Sequence, residues 1–234
     1  MTSPSPFFYH PRDMFAPLLL ARRLPMVVAL ALGLALIEAP ASGASADAPG
    51  LSLENFAGFP AGWKIKDDNP RAAEIYRTMS DARGPYLSAV VGPKPGVRVF
   101  KYVAWDTRTY PVITWKWRLK AFPPDKRRSI AVYVSMYRDS FGIPTIVKYL
   151  WSTKEPVGTV RPGGFFGATE IVVQSGPSPN PDEWVTARVD AAADFERMYG
   201  EPPDAVGVGI GVMVGVEIEA DIADVRIEPR VVVR

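Results

Sequence analysis

The chain reads as an all-β protein, a jelly-roll-like β-sandwich of about ten antiparallel strands with one short helix. Three observations lead there. Six apolar-rich runs of 7–9 residues follow one another at close spacing between residues 74 and 152. Clusters of Gly, Pro, Asn and Asp, the residues that tight turns require, separate them. Within the runs, apolar and polar residues alternate with period two, which places successive side chains on opposite faces of a strand.

The elements follow in order. Residues 52–56 form a short strand ended by Ala57-Gly58-Phe59-Pro60-Ala61-Gly62, and residues 63–66 resume before the turn residues Asp67-Asp68-Asn69-Pro70. Strands follow at 74–80, 85–91, 97–105, 112–120, 130–138 and 145–152, with turns at Asp81-Ala82-Arg83-Gly84-Pro85, Gly92-Pro93-Lys94-Pro95-Gly96 and Phe122-Pro123-Pro124-Asp125. After a Gly-containing loop at 161–164 come strands at 169–175, 184–190, 205–214 and 217–228. Residues 191–199 are the one helical interruption: Asp190 caps the start, and Gly200 with Pro202 stops it. No internal repeat or linker divides this stretch.

The N-terminus reads as an export signal. Residues 26–37 are an uninterrupted apolar run of 12, preceded by Arg22-Arg23 and followed by Ala44-Ser45-Ala46. Twelve residues suit a secretory apolar region of ~7–15 better than the ~20 of a membrane span. Cleavage after Ala46 gives domain boundaries of 1–46 for the signal peptide and 47–234 for a single domain, in the periplasm or secreted, with no membrane span left. Translation starts at Met1 or Met14.

Composition then excludes whole classes of chemistry. The chain has no Cys, and its one His, His10, lies in the leader. A Ser-His-Asp triad, a thiolate nucleophile, an imidazole or thiolate zinc site and a histidine pH switch are therefore all missing. Removing Arg12, Arg22, Arg23, Asp13 and Glu38 with the leader leaves 24 basic and 23 acidic residues among 188. That balance is not the basic footprint of a nucleic-acid binder. No cofactor and no metal are expected; Asp67-Asp68-Asn69 offers oxygen ligands for calcium but reads more simply as a turn.

Alternation assigns faces. In 112–120, Ile113, Trp115, Trp117 and Leu119 share the core face, leaving Thr114, Lys116, Arg118 and Lys120 outside. In 130–138 the core set is Ile130, Val132, Val134 and Met136, with Tyr133 and Tyr137 opposite. In 145–152 the phases compete; with Ile146 and Leu150 inward, Tyr149 and Trp151 face outward. Trp184, Thr186 and Arg188 oppose Val185, Ala187 and Val189. The outer faces then present Lys116, Arg118, Tyr133, Tyr149, Trp151 and Arg188 as a candidate ligand-binding surface. Aromatic rings offer platforms for the CH faces of sugars, and cations donate to hydroxyls and carboxylates. Gly207, Gly209 and Gly211 share a face and leave it bare, open to a ligand or to a neighbouring layer.

Two further patterns bear on chemistry. Gly207-Val208-Gly209-Ile210-Gly211 is not a phosphate loop, because its spacing is not G-x-G-x-x-G and its alternation is that of a strand. Glu217-Ile218-Glu219-Ala220-Asp221 places three acids on one strand face, adjacent pairs ~6–7 Å apart, between the separations of retaining and inverting glycosidases. The simpler reading is a solvated face.

Several motifs carry a family resemblance. Asn55-Phe56 with Phe59-Pro60 and Gly62-Trp63, Ile113-Thr114-Trp115-Lys116-Trp117-Arg118, Tyr149-Leu150-Trp151-Ser152, Val172-Val173-Gln174-Ser175-Gly176, Trp184-Val185, and Asp194-Phe195 through Tyr199-Gly200 with Pro202-Pro203 occur in this order. The chain thereby resembles the bacterial exported family called domain of unknown function 3047 over nearly all of the part after the leader. The resemblance implies an exported jelly-roll-like sandwich with no established activity. The chain departs from the family at Lys126-Arg127-Arg128-Ser129, where acids are usual, and at Met213-Val214-Gly215-Val216, where an Asp-rich loop is usual.

Three functions remain open: a non-catalytic module for glycan or envelope polysaccharide, a periplasmic protein-interaction module, and a glycoside hydrolase or lyase using Glu217 and Glu219.

Overall fold

The computed structural model describes residues 50–122, 129–138, 142–163, 168–176 and 180–231. The leader, its cleavage site and Lys126-Arg127-Arg128 lie outside the described residues. The strands are β1 (Leu51–Glu54), β2 (Trp63–Ile65), β3 (Tyr76–Asp81), β4 (Gly84–Val91), β5 (Val99–Tyr102), β6 (Val112–Ala121), β7 (Ser129–Arg138), β8 (Pro144–Ser152), β9 (Val160–Pro162), β10 (Thr169–Ser175), β11 (Val185–Asp190), β12 (Gly209–Val214) and β13 (Ile218–Glu228).

They form two sheets, an all-β sandwich. The first has the order β11-β6-β13-β4-β3, with β1 pairing the far half of β13 beyond the stretch that pairs β4. The second has the order β2-β5-β12-β7-β8-β10-β9. Pairing is antiparallel except between β8 and β10, which run parallel; the intervening residues, including β9, supply the return that a parallel pair needs.

Burial follows the period-two pattern. Ile113, Trp115, Trp117 and Leu119 of β6 and Ile130, Val132, Val134 and Met136 of β7 lie between the sheets. Four rings make the centre of that layer: Trp115 lies 5.2 Å from Trp117 and 5.7 Å from Tyr149, and Trp117 lies 5.6 Å from Trp151. Such rings dominate the apolar area a core removes from water.

The helix is as expected: α2 (Ala191–Tyr199) starts where Asp190 accepts from the Ala193 N–H at 2.9 Å, and ends at Gly200 with φ 77°. It packs on β6, β7, β8 and β11 through Phe195, and the Tyr199 hydroxyl donates to the Ile146 carbonyl. A second helix, α1 (Ala72–Ile75), is a single turn leading into β3. It takes residues 74–75 out of the strand expected at 74–80, because the turn buries Ala72 and Ile75 on one side and leaves Ala73 and Glu74 exposed. The triplet at 67–69 is a turn, with Asp67 and Asp68 at positive φ and Asn69 Oδ1 accepting from the Arg71 N–H.

Candidate functional site

The outer face of the first sheet beside β6 is built from alternate residues of three strands. β6 presents Thr114, Lys116, Arg118 and Lys120; β13 presents Glu219, Asp221 and Ala223; β4 presents Tyr86, Ser88 and Val90. Trp184 enters the face just before β11. Register sets Arg118 directly opposite Asp221.

That pair organises the site. The Arg118 Nε donates to Asp221 Oδ2 at 2.6 Å, and Asp221 is 0 % exposed. The Arg118 guanidinium lies 4.5 Å from the Trp184 ring centre and 5.1 Å from that of Tyr86, and those two rings meet edge to face at 5.5 Å. It also reaches the Asp182 carbonyl at 3.4 Å and Asp81 at 4.0 Å. Burial opposes the Arg118 charge, but the Asp221 carboxylate outweighs it and raises the guanidinium pKa above its ordinary value.

Three other cations of this face are matched in the same way. Lys116 pairs with Asp224 at 3.0 Å, Lys120 with Glu219 at 2.7 Å, and Arg188 with Glu228 at 3.2 Å. Asp224 reaches its position because β13 carries a bulge there: its φ is 51°, and the register with β6 shifts between Ala223 and Arg226.

Beside Arg118 a cavity of about 150 Å³ opens between Tyr86, Trp184, Asn55, Asp81, Lys116 and Asp224, with the small Ala223 also lining it. The Trp184 Nε1 donates to Asp81 Oδ2 at 3.4 Å. The Asp81 carboxyl is held below its ordinary pKa, first by the Arg83 N–H and then by Trp184 and Arg118. Two aromatic rings, two carboxylates, an amide, the Lys116 ammonium and the Arg83 guanidinium thus meet in one small concavity. Such a set can stack an apolar ring face and exchange hydrogen bonds with hydroxyls.

The six residues expected to share one surface fall in three places. Lys116 and Arg118 meet at this site, and Arg188 stands on the same face farther along, over Glu228. Tyr149 and Trp151 are corrections: both are 0 % exposed, because β8 turns Val147, Tyr149 and Trp151 inward to fill the space against Trp115 and Trp117. Tyr133 belongs to the outer face of the second sheet, in a small apolar cluster with Ala131, Leu150 and Val172. The bare backbone at Gly207, Gly209 and Gly211 is also occupied: the Trp105 indole covers the first, and the Phe100 and Tyr133 rings cover the others.

The acidic run divides similarly. Glu217 sits in the turn before β13 with φ 57°. Glu219 and Asp221 each face a cation across the strand pair, so Glu219 meets Lys120 rather than a second acid. Among the described residues, no three His, Cys, Asp or Glu side chains are grouped to hold a metal ion. No described helix is long and apolar enough to cross a membrane.

Sequence reasoning passed over Tyr86, Asp81 and Asn55. Tyr86 was findable: in residues 85–91, Leu87, Ala89 and Val91 make the inward set, which leaves Tyr86 outward. Asp81 is the last residue of β3, at its turn into β4, and Asn55 stands in the loop after β1, where periodicity gives no placement.

No curated protein matches the chain. Solved structures similar to it in outline include the Family 11 Carbohydrate-Binding Module from Clostridium thermocellum in complex with a β-1,3-1,4-mixed-linked tetrasaccharide (10% identity, 79% of this chain and 98% of that chain, TM-score 0.45). Another is Endoglucanase 3 of Trichoderma harzianum from family GH12 (9% identity, 77% and 94%, TM-score 0.39). A third is the K3 cleaved adhesin domain of Lys-gingipain from Porphyromonas gingivalis (12% identity, 78% and 98%, TM-score 0.38). Residues 61–221 match the family described as "Protein of unknown function (DUF3047)". With more than half of its length matched, the chain belongs to that family.

Proposed function

We propose that the protein is an exported, non-catalytic glycan-binding module that takes one sugar residue of an envelope polysaccharide into the cavity beside Arg118. The observation that carries this reading is the pairing of Tyr86 and Trp184 with the hydrogen-bonding groups of Asn55, Asp81, Lys116 and Asp224 around a space of about 150 Å³. That space is about half the smallest volume usual for a drug-sized ligand, a scale that suits a single ring. The charges support a neutral sugar, since the two cations of the lining, Arg83 and Lys116, are balanced by its two carboxylates, Asp81 and Asp224.

A non-catalytic role is supported by the acids themselves. A glycosidase keeps one carboxyl protonated by raising its pKa, whereas that of Asp81 is lowered. Export to the periplasm or beyond is supported by the apolar run at 26–37 and the small residues at 44–46.

A glycan array of neutral and anionic bacterial polysaccharides tests the reading, followed by titration of Trp184→Ala with any hit. Binding to a neutral glycan that drops at least tenfold in the variant is the expected result. An array without neutral hits, or a hit that Trp184→Ala leaves unchanged, contradicts it.

A further inference from the structure

The outer face of the second sheet differs from the first in its charge. One register row crosses all seven strands as Lys64, Phe100, Gly211, Tyr133, Lys148, Glu170 and Arg161. At Gly211 an added Cβ would stand 2.9 Å from a Tyr133 ring carbon and 3.1 Å from a Phe100 ring carbon. The missing side chain therefore lets both rings approach the backbone: Tyr133 is buried beneath Lys148, while the half-buried Phe100 and the exposed Tyr102, edge to face at 5.0 Å, supply the aromatic part of the floor.

Over this floor runs a cleft in two parts, of about 440 and 190 Å³, which share Lys66 and Arg98 in their walls. Among the described residues, five cations line the two parts, namely Lys64, Lys66, Arg71, Arg98 and Lys148, against one acid, Asp67, which pairs with Lys66 at 3.5 Å. Lys148 is held by Glu170 at 3.2 Å and by the Gly163 carbonyl, and Arg71 donates to the carbonyls of Pro95 and Lys94. The side chains of the half-buried Arg98 and the exposed Lys64 have no hydrogen-bond or ion-pair partner among the described residues. On the opposite face every cation of β6 has a carboxylate.

We infer that this cleft binds an extended acidic polysaccharide, at a site separate from the sugar cavity beside Arg118. Carboxylates along the chain meet Arg98, Arg71 and Lys64, and its sugar faces lie on Phe100 and Tyr102. The guanidinium fork of Arg98 suits a carboxylate in two-point contact. The aromatic floor favours a sugar chain over a bare polyphosphate, which has no apolar face to offer it. Local surplus charge also draws the polymer in from solution, an attraction that salt screens.

Calorimetric titration of the purified protein with oligogalacturonate, inorganic polyphosphate and a neutral oligoglucan tests this. Oligogalacturonate should bind, with affinity falling steeply as salt rises. Arg98→Ala should weaken it at least tenfold, and Lys64→Glu, at an exposed position, should do the same without touching a packed side chain. Trp184→Ala should leave oligogalacturonate binding unchanged, which separates this site from the neutral-sugar cavity. Absence of oligogalacturonate binding, salt-independent binding, equal affinity for polyphosphate, or indifference to Lys64→Glu would each overturn the inference.

Discussion

Arg118 Nε and Asp221 Oδ2 stand 2.6 Å apart across β6 and β13, with the carboxylate fully buried and the guanidinium lying over it between Trp184 and Tyr86. A buried charge is tolerated here because its partner is in register, so the sheet itself enforces the pairing. The same arrangement fixes Trp184 and Tyr86 as walls of the cavity.

Removing one partner strands the other. Arg118→Ala should destabilise the protein by about 3–5 kcal/mol, because it leaves the Asp221 carboxylate buried and unpaired. The double change Arg118→Met with Asp221→Leu should recover most of that loss. Urea unfolding of the three proteins checks both statements, and a double variant as unstable as the single one would disprove the pairing argument.

Trp151 gives the second prediction. Its ring is fully buried against Trp117, and its Nε1 donates to the Gly176 carbonyl at 2.8 Å. Trp151→Ala should cost about 3–5 kcal/mol in stability. Whatever fraction stays folded should bind glycan normally, as thermal denaturation and titration on the same sample would show.

Acid should loosen the start of α2. Burial works against the Asp190 charge, but the Arg230 guanidinium and the Ala193 N–H outweigh it and hold the carboxyl below its ordinary pKa. A lowered folded value means that the stabilisation is complete above the unfolded pKa of about 3.9 and is lost as pH falls through the folded one. Between about pH 5 and pH 2 the wild type should therefore lose more stability than Asp190→Asn, which caps without titrating. Parallel pH-dependent losses in denaturant titrations would refute this.

A fourth prediction concerns backbone approach. A Cβ at position 207 would fall inside contact distance of three atoms of the buried Trp105 indole. Gly207→Ala should cost about 1–3 kcal/mol through overpacking, measured as a lowered unfolding midpoint.

Much of this molecule was legible in its sequence, and the failures have identifiable causes. The faces of β6 and β7 followed from alternation because Trp115, Trp117, Val132 and Val134 leave no ambiguity about which side is dry. β8 was misread because both of its faces are largely buried: Ile146 and Leu150 cover an apolar cluster on one side, while Tyr149 and Trp151 fill the core on the other. Alternation carries no signal where both sides are apolar. The cavity was half legible. Lys116, Arg118 and the Trp184 strand were recognisable as outward, but which strands lie beside one another is a matter of topology, and the order β11-β6-β13-β4 brings Tyr86 and Trp184 onto the same guanidinium. Asp81 depends on a two-residue turn and Asp224 on a bulge, local departures that no periodic rule anticipates.

A neutral sugar seated against Trp184 beside Arg118 would be reported by the Trp184 ring itself. The most direct measurement is the indole N–H resonance of Trp184, assigned through its loss in Trp184→Phe, during titration with the best neutral glycan from the array. The account predicts that this resonance shifts in a saturable way, while those of the buried Trp115, Trp117 and Trp151 stay put. A glycan that binds and leaves the Trp184 resonance unmoved would contradict it.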